Sequence, residues 1–313
     1  MIFTAAVSAR VTSFLLCLAL SAAATAAEPA AGFRRIPFGA FTVVALSDGN
    51  FDLPTDRLLV EDTPGRAVEL LAQAGLPSTV PTSVNAYLVD TGRRRVLVDA
   101  GAGSLLGPGL GQVQQHLRAA GYAPEQIDDV LITHLHPDHS GGLSVEGRAA
   151  FPNAVVHVDA DESAFWLDKA NAARVDDNVK GAFDAAAAAL QPYQAQGRLK
   201  TFRAGTRVTD GIDAVASHGH TAGHTAFRVR SGKQTLLLWG DVVHVGAVQF
   251  ADPAVTIRFD SVPAEARAER LRRYADAAKH GYWVGGAHLA FPGIGRVEKD
   301  GDHYAWRVVD TAR

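Results

Sequence analysis

Histidine and aspartate side chains suited to metal binding are concentrated in the segment LITHLHPDHSGG, residues 131–142. Alternate side chains of a strand lie on one face, so His134 and His136 are expected to point the same way from the end of an apolar strand. A proline ends that strand and turns the chain, which brings Asp138 and His139 towards the same point from a loop. Three imidazoles and a carboxylate suit divalent zinc, iron, manganese or cobalt. The segment therefore predicts a metal centre.

The hydrophobic pattern predicts the elements that must position this segment. Strand-like apolar runs occupy residues 41–46, 84–89, 96–99, 130–133, 154–158, 214–216, 226–229, 235–239 and 282–284. Helix-like segments occupy residues 110–120, 161–172, 177–190 and 263–279. The turn Asp90-Thr91-Gly92 joins two of the strands as a hairpin. Hairpins mixed with intervening helices predict an α/β chain in which two sheets are sandwiched between helical layers.

The composition is that of an ordinary globular chain. Of the 313 residues, 47% are hydrophobic and 20% are charged, which excludes a disordered or collagen-like chain and a multi-span membrane protein. The 30 basic residues nearly balance the 33 acidic ones, and the net charge is -3. Neither nucleic acid nor an anionic membrane surface is therefore an expected partner.

Residues 1–26 are typical of a removable secretory signal. Arg10 precedes an apolar run at residues 11–19, and the small-residue stretch after it ends in the cleavage pattern Ala24-Thr25-Ala26. The run is too short to span a bilayer, although a retained N-terminal helix is the alternative. We expect an exported protein, periplasmic or secreted, whose residues 27–313 form one domain. Cys17 lies in the signal, so the mature chain is expected to have no thiol chemistry and no disulfide.

The metal-binding segment resembles the signature of the metallo-β-lactamase superfamily, and the resemblance covers nearly the whole mature chain. It implies an αββα sandwich. In SHGHTAGHTAF, His220 matches a further ligand and His224 matches a histidine that supports the ligands from behind. In LLLWGD, Asp241 matches a bridging carboxylate, and in VGGAHLAFPGIG, His288 matches the last ligand.

This resemblance implies a centre with two divalent metal ions, zinc foremost and manganese, iron or cobalt as alternatives. One ion would be held by His134, His136 and His220, and the second by Asp138, His139 and His288, with Asp241 bridging them. Two such ions generate a hydroxide nucleophile at neutral pH, so a serine or cysteine nucleophile is not required. The expected catalytic carboxylates are Asp138 and Asp241, either of which could relay the proton.

A narrower resemblance connects the chain with methyl parathion hydrolase and the lactone hydrolases similar to it. Segments such as TSVNAYLVDTG, VDAGAGSLLGPGLG and HVGAVQFADPAVTIRFDS carry it, over roughly residues 35–310. Two activities are implied, the opening of aromatic lactones such as dihydrocoumarin and the hydrolysis of organophosphate triesters. The resemblance places the substrate pocket at Leu59, Leu106, Trp166, Phe183, His244, Ile257 and Phe259.

The residues at these pocket positions favour a lactone or aryl ester over a triester. Phe259 and Trp166 would form a flat apolar slot for a planar aryl lactone, whereas a tetrahedral triester needs more width. Plain core packing is the alternative for both side chains. We therefore expect a metal-dependent lactonase or arylesterase with weak triesterase activity.

Several other functions remain open. The enzyme alternatives are a methyl parathion-type phosphotriesterase, an acyl-homoserine lactonase and a redox enzyme with iron or flavin. A periplasmic metal-binding protein is the non-enzyme alternative. The expected partner is a small-molecule lactone or ester, and the resemblance also implies a homodimer.

Overall fold

The computed structural model describes residues 1–2 and 32–309, and the account below concerns residues 32–309, which lie in one compact unit, Gly32–Arg313. The predicted signal falls outside the described residues except for residues 1–2. The strands of this unit are β1 (Phe33–Phe38), β2 (Phe41–Pro54), β3 (Leu59–Val60), β4 (Thr79–Asp90), β5 (Arg95–Val98), β6 (Asp129–Leu131), β7 (Ser144–Val145), β8 (Arg148–Ala149), β9 (Val155–Asp159), β10 (Leu199–Phe202), β11 (Arg207–Thr209), β12 (Ile212–Ala216), β13 (Thr225–Ser231), β14 (Gln234–Leu238), β15 (Thr256–Ile257), β16 (Trp283–Gly285), β17 (Ile294–Asp300) and β18 (His303–Val308).

The helices fall between these strands. The α-helices are α1 (Thr55–Leu58), α2 (Arg66–Gln73), α3 (Val113–Ala119), α4 (Pro137–Ser140), α5 (Ala160–Trp166), α6 (Ala182–Ala195), α7 (Gly246–Gln249) and α8 (Pro263–His280). Short 3-10 turns occupy Pro124–Gln126, Gly141–Leu143, Lys169–Arg174 and Asp177–Val179. Within residues 32–309, every helix falls short of the length and apolar character needed for a bilayer crossing.

Two seven-stranded sheets organise the chain. The first has the order β1-β2-β4-β5-β6-β9-β10, with antiparallel pairing as far as β5 and parallel pairing beyond it. The second has the order β11-β12-β13-β14-β16-β17-β18, in which β14 and β16 are parallel and the other neighbours antiparallel. The predicted hairpin is present, since β4 and β5 pair with Leu88 opposite Leu97.

Both faces of the first sheet are buried, which explains its nearly continuous apolar runs. Along β2, Val43 points between the two sheets, where it packs with Phe227 and Leu236 of the second sheet. Its neighbour Val44 points to the opposite face and packs in the layer that contains α3 and α6. On the outer face of the second sheet, Tyr274 of α8 packs with the strand residues there. The layers are therefore helix, sheet, sheet, helix, the predicted αββα sandwich.

Several predicted elements differ from the observed ones. The helix predicted at residues 177–190 is observed as α6, which begins only at Ala182 after a 3-10 turn at Asp177–Val179. The helix predicted at residues 110–120 begins only at Val113, because Gly111 has a φ of 87°, far outside the helical range. The helix predicted at residues 161–172 ends at Trp166, and Asp168 then caps a separate 3-10 turn by accepting from the backbone N of Ala170 at 3.0 Å. The strand predicted at residues 130–133 ends at Leu131, so His134 follows the strand instead of lying on it.

Candidate metal centre

All seven predicted ligands follow the carboxyl ends of strands at one edge of the sandwich. His134 and His136 come after β6, and Asp138 and His139 lie on α4 directly after them. The remaining ligands lie in the second half of the chain, His220 after β12, Asp241 after β14 and His288 after β16. A short helix, where a loop was predicted, therefore carries two of the ligands.

The structure brings these side chains together in two groups. The first contains His134, His136, His220 and Asp241, and the second contains Asp138, His139 and His288. Within each group, one ligand-type atom per residue lies within 4.8 Å of all the others. The two groups match the division that the family resemblance implies.

Asp241 connects the two groups. Its Oδ2 lies 3.0 Å from Nε2 of His288, 3.4 Å from Nε2 of His220 and 3.6 Å from Nε2 of His134. Its Oδ1 lies 3.2 Å from Nε2 of His139. The carboxylate is thus placed to contact an ion in either group, as a bridging ligand must.

Several of the buried ligand atoms lack hydrogen-bond partners among the described residues. Nε2 of His134, Nε2 of His139 and Oδ1 of Asp241 make no hydrogen bond with any residue that the structure describes. The three residues are at most 3% exposed. Buried polar atoms without partners are costly, and a divalent ion would satisfy all three, so the donor set fits metal ions.

Charge is strongly coupled at this centre. Burial and then the neighbouring imidazoles hold the pKa of His134 well below its ordinary value. Burial would lower the pKa of His139 too, but the facing carboxylates, that of Asp241 foremost, hold it well above. Burial would raise the pKa of Asp241, but the facing imidazoles, that of His139 foremost, hold it well below. Metal binding to His139 is therefore expected to compete with protonation of its ring.

Carboxylates and backbone carbonyls behind the histidines fix their orientation. Nδ1 of His139 donates to Oδ2 of Asp99 at 3.0 Å, and Nδ1 of His220 donates to Oδ1 of Asp260 at 2.8 Å. Nδ1 of His288 donates to the backbone O of Ser83 at 3.0 Å. Such bonds direct the opposite ring nitrogen of each histidine towards the centre, where it could bind a metal. Neither Asp99 nor Asp260 was predicted from the sequence, because neither lies near a ligand in sequence.

Asp99 occupies a strained position. Its φ is 61°, in the left-handed region that side chains other than glycine seldom adopt. Besides holding His139, its Oδ1 accepts from the backbone N of Thr133 at 2.8 Å. Strain of this kind is typical of functional sites, where surrounding contacts hold it in place.

Glu162 ties the two main ligand loops together from beneath. Its Oε1 accepts from the backbone N of Leu135 at 2.8 Å, between two ligands of the first loop. Its Oε2 accepts from Oγ1 of Thr221 at 2.6 Å and from the backbone N of Gly223 at 2.8 Å, just after His220. The residue is fully buried, and burial raises the pKa of its carboxyl. No spacing in the sequence indicated this role.

His224 supports the centre as the resemblance implied. Its Nδ1 donates to the backbone O of Ser217 at 2.8 Å, and its Nε2 accepts from the backbone N of Asp241 at 3.0 Å. Burial lowers the pKa of His224 to about 3. The neutral ring thus uses both nitrogens to hold the backbone and has none left for a metal.

Close backbone contacts explain the glycines that end the first motif. A Cβ on Gly142 would lie 2.0 Å from the backbone O of Ala100, so only glycine fits there. The contact places the motif against the loop that carries Asp99.

An apolar cavity of about 540 Å³ opens above the centre. Side chains of the centre, among them Asp138 and His288, line its floor. The lining residues are Phe51, Leu105, Leu106, Leu110, His136, Pro137, Asp138, Asn178, Val179, Gly181, Ala182, Ala185, Asp241, Phe259 and His288. Mostly apolar walls with a few polar groups at one end are typical of a small-molecule site.

The predicted pocket residues are only partly on this cavity. Leu106 and Phe259 line it, whereas Leu59, Trp166, Phe183, His244 and Ile257 do not. Trp166 is fully buried behind the centre, 5.2 Å from the ring of His136 and 4.6 Å from that of Phe183. The flat slot predicted between Phe259 and Trp166 is therefore absent from the described lining, because Trp166 packs into the core.

The other pocket residues lie nearby in different roles. Leu59 of β3 pairs with Ile257 of β15, and both pack in a core cluster beside the cavity. His244 lies inside the centre, against Asp241. Walls formed by Leu105 and Leu110 were not predicted, although the exposed-looking GSLLGPGLG stretch contains them.

Comparisons with known proteins agree with this geometry. The model of the metallo-β-lactamase superfamily matches residues 79–308. The crystal structure of the hydrolase AbOPH, described as belonging to the beta-lactamase superfamily, is 37% identical, with a TM-score of 0.86 over 91% of this chain and all of that chain. The dizinc quorum-quenching lactonase AidC, solved with its product N-hexanoyl-L-homoserine, has a similar fold at 22% identity, with a TM-score of 0.82 over 90% of this chain and 99% of that one.

A curated relative matches over a shorter stretch. The lactamase-like protein aptB of Emericella nidulans is 29% identical over 143 residues, which are 45% of this chain and 41% of that protein. The chain thus spans less than half the length of this relative. The superfamily model covers most of the chain and contains all seven candidate ligands. The protein belongs to the metallo-β-lactamase superfamily of metal-dependent hydrolases.

Proposed function

We propose that this protein opens lactones, in particular aromatic lactones such as dihydrocoumarin, and cleaves aryl esters. The observation that carries the proposal is the position of the ligand cluster on the floor of an apolar cavity. Phe51 and Phe259 on its walls offer aromatic surface to a planar substrate. The volume of about 540 Å³ lies in the range of small-molecule sites.

Two divalent metal ions, zinc foremost, are the proposed cofactors. His134, His136 and His220 would hold one ion, Asp138, His139 and His288 would hold the other, and Asp241 would contact both. When bound, such ions polarise an ester carbonyl and lower the pKa of water enough to give a nucleophile at neutral pH.

The carboxylate side chains at the centre are the candidates for transferring a proton to the leaving group. The side chain of Asp138 is 16% exposed and lines the cavity, whereas that of Asp241 is 3% exposed and surrounded by imidazoles. Asp138 is therefore the better placed to pass a proton to the departing alkoxide or phenolate. Burial would raise the pKa of both carboxyls, but the facing imidazoles, that of His139 foremost, hold both below the ordinary value, so the greater exposure of Asp138 is what distinguishes it.

Acyl-homoserine lactones are the second candidate substrates. AidC has the same fold and was solved with N-hexanoyl-L-homoserine bound as a product. In this chain Leu105 and Leu106 are 49% and 48% exposed beside the cavity, where an acyl chain could pack. Organophosphate triesters are proposed only as weak substrates.

The deciding experiment compares three substrates on the metal-reconstituted protein. We would measure kcat/KM for dihydrocoumarin, N-hexanoyl-homoserine lactone and methyl parathion, with a chelated sample as the control. A chelator-sensitive preference for dihydrocoumarin supports the proposal. A preference for either other substrate overturns the substrate assignment, and metal loading without turnover on any ester favours a metal-binding protein.

Export and dimerisation are proposed on sequence grounds. The signal-like pattern of residues 1–26 supports export to the periplasm or the medium. N-terminal sequencing of protein recovered from each fraction of the producing cells tests this, since a mature start at Ala27 is expected. Sedimentation equilibrium tests the dimer that the family resemblance implies.

A further inference from the structure

His244 lies inside the metal centre although it belongs to neither ligand group described above. Its Nε2 is 3.1 Å from Oδ2 of Asp241, and its side chain is only 1% exposed. Neither ring nitrogen makes a hydrogen bond of good geometry with any residue between 32 and 309. An imidazole this deeply buried normally has a partner for at least one nitrogen.

The surroundings hold this ring in place. It stacks on His288, with ring centroids 5.1 Å apart and an angle of 22° between the planes. The backbone N atoms of His244 and Val245 both donate to Oε1 of the fully buried Gln249, at 2.8 and 3.1 Å. The turn that carries His244 is thus anchored. His224 is an instructive contrast, because it is equally buried but uses both nitrogens to hold backbone groups.

Ligand-type atoms of Asp241, His244 and His288 all lie within 4.8 Å of one another. Nε2 of His288 and Nε2 of His244 both face Oδ2 of Asp241, at 3.0 and 3.1 Å. Two imidazoles and a carboxylate converging on one point form a ligand set that divalent transition metals accept.

We propose that His244 is a metal ligand, which with Asp241 and His288 forms a third group that shares the ion of Asp138, His139 and His288. The inference rests on the metal centre of the proposed function and is independent of the substrate. It explains why Nε2 of the buried ring faces the bridging carboxylate without a hydrogen bond of good geometry.

Cobalt binding to the His244→Phe variant tests the proposal. Phenylalanine keeps an aromatic ring against His288 and removes the nitrogens. We expect the affinity for the more weakly bound cobalt ion to fall about tenfold or more, and the visible absorption of the cobalt protein to change. Phe259→Leu is the matched control, because Phe259 lies near His244, at 6.1 Å between ring centroids, but offers no ligand atom. Wild-type affinity and an unchanged spectrum in His244→Phe overturn the proposal.

A measurement on the wild-type protein covers the case in which His244→Phe does not fold. In the cobalt-substituted protein, each bound imidazole gives a strongly shifted N–H resonance. One resonance more is expected than the five histidines of the first two groups provide. Five shifted resonances with two bound ions would refute only the proposal that His244 is a ligand. A wild-type protein that binds no cobalt would refute the proposed metal centre as well.

Discussion

Asp241 is the side chain that contacts both ligand groups, and its negative charge favours the binding of cations there. Asp241→Asn keeps the shape of the side chain but removes the negative charge that faces five imidazole groups. We expect loss of the more weakly bound ion and a fall in kcat/KM on the order of 100-fold or more. Metal analysis and kinetics on dihydrocoumarin measure both. A variant with full metal content and full activity would remove Asp241 from the mechanism.

Phe259 separates two cavities. It lines the cavity above the centre and also a second opening of about 620 Å³, which Arg57 and Arg258 border. Phe259→Leu shortens this wall and widens the site, which helps a tetrahedral triester more than a flat lactone. We expect the ratio of kcat/KM for methyl parathion to that for dihydrocoumarin to rise about tenfold. An unchanged ratio would mean that Phe259 acts only in packing.

Asp129 stabilises the fold far from the centre. Its carboxylate accepts from Nε of Arg94 at 2.7 Å and faces Nε2 of His157 at 2.8 Å. Burial would raise the pKa of Asp129, but His157 and Arg94 hold it below the ordinary 3.8. Since the folded pKa is the lower one, the stabilisation is present above about pH 4 and is lost as the pH falls through the folded value.

Asp129→Asn should therefore lower the free energy of unfolding at pH 7 by about 1 kcal/mol, an amount limited by the half-exposed Arg94. The difference from wild type should shrink by pH 3. Urea unfolding of chelated samples at both pH values measures it. Glu146→Gln is the control, because the side chains of Glu146 and its partner Arg148 are each 79% exposed. A difference that is equal at both pH values would contradict the assignment.

At the scale of the element, α5 determines how the ligand loops meet. Its Glu162 binds the loop of His134 and His136 through one oxygen and the loop of His220 through the other. Glu162→Gln replaces an acceptor with an N–H donor that must face another donor, so one loop loses its anchor. We expect metal affinity to fall about 10- to 100-fold. Competition with a chelator measures this, and Ser163→Ala on the same helix should match wild type.

The elements that the sequence predicted well are those whose pattern is local. The apolar runs at residues 84–89 and 96–99 became paired strands, because burial on both sheet faces leaves a continuous apolar signal. The prediction for His134 and His136 was right about their convergence but wrong about its cause, since β6 ends at Leu131. What positions the two loops is Glu162, which bonds to Leu135 from 27 residues away. A contact between residues so distant in sequence produces no periodic pattern from which it could be predicted.

The pocket was predicted less well than the centre for a related reason. A metal ligand must be one of a few residue types, so its position is visible in a motif. An apolar wall accepts many residue types, and the same tryptophan suits a cavity or a core. Trp166 was placed on the cavity by resemblance and lies in the core. Phe51 and Leu110 on the wall carried no distinguishing pattern.

At the scale of the whole molecule, the two sheets are consecutive halves of the chain. Strands of the first sheet lie between Phe33 and Phe202, and those of the second between Arg207 and Val308. The candidate ligands divide the same way, with four from the first half and three from the second. An ion that binds both halves stabilises the folded chain in proportion to the logarithm of its free concentration. Chelation is therefore expected to lower Tm, which calorimetry at several zinc concentrations measures, and an invariant Tm would contradict it.

Because of this division, bound metal would link two consecutive segments of the chain that each form one sheet. The few residues between Phe202 and Arg207 connect the two sheets, and they include the exposed Gly205. If the chain were cut there, the apolar layer between the sheets would still favour reassociation, and the ligand set would be complete only in the reassembled pair. Two co-expressed fragments should then recover the proposed hydrolase activity together, at lower fragment concentrations when metal is present, and neither fragment should show it alone.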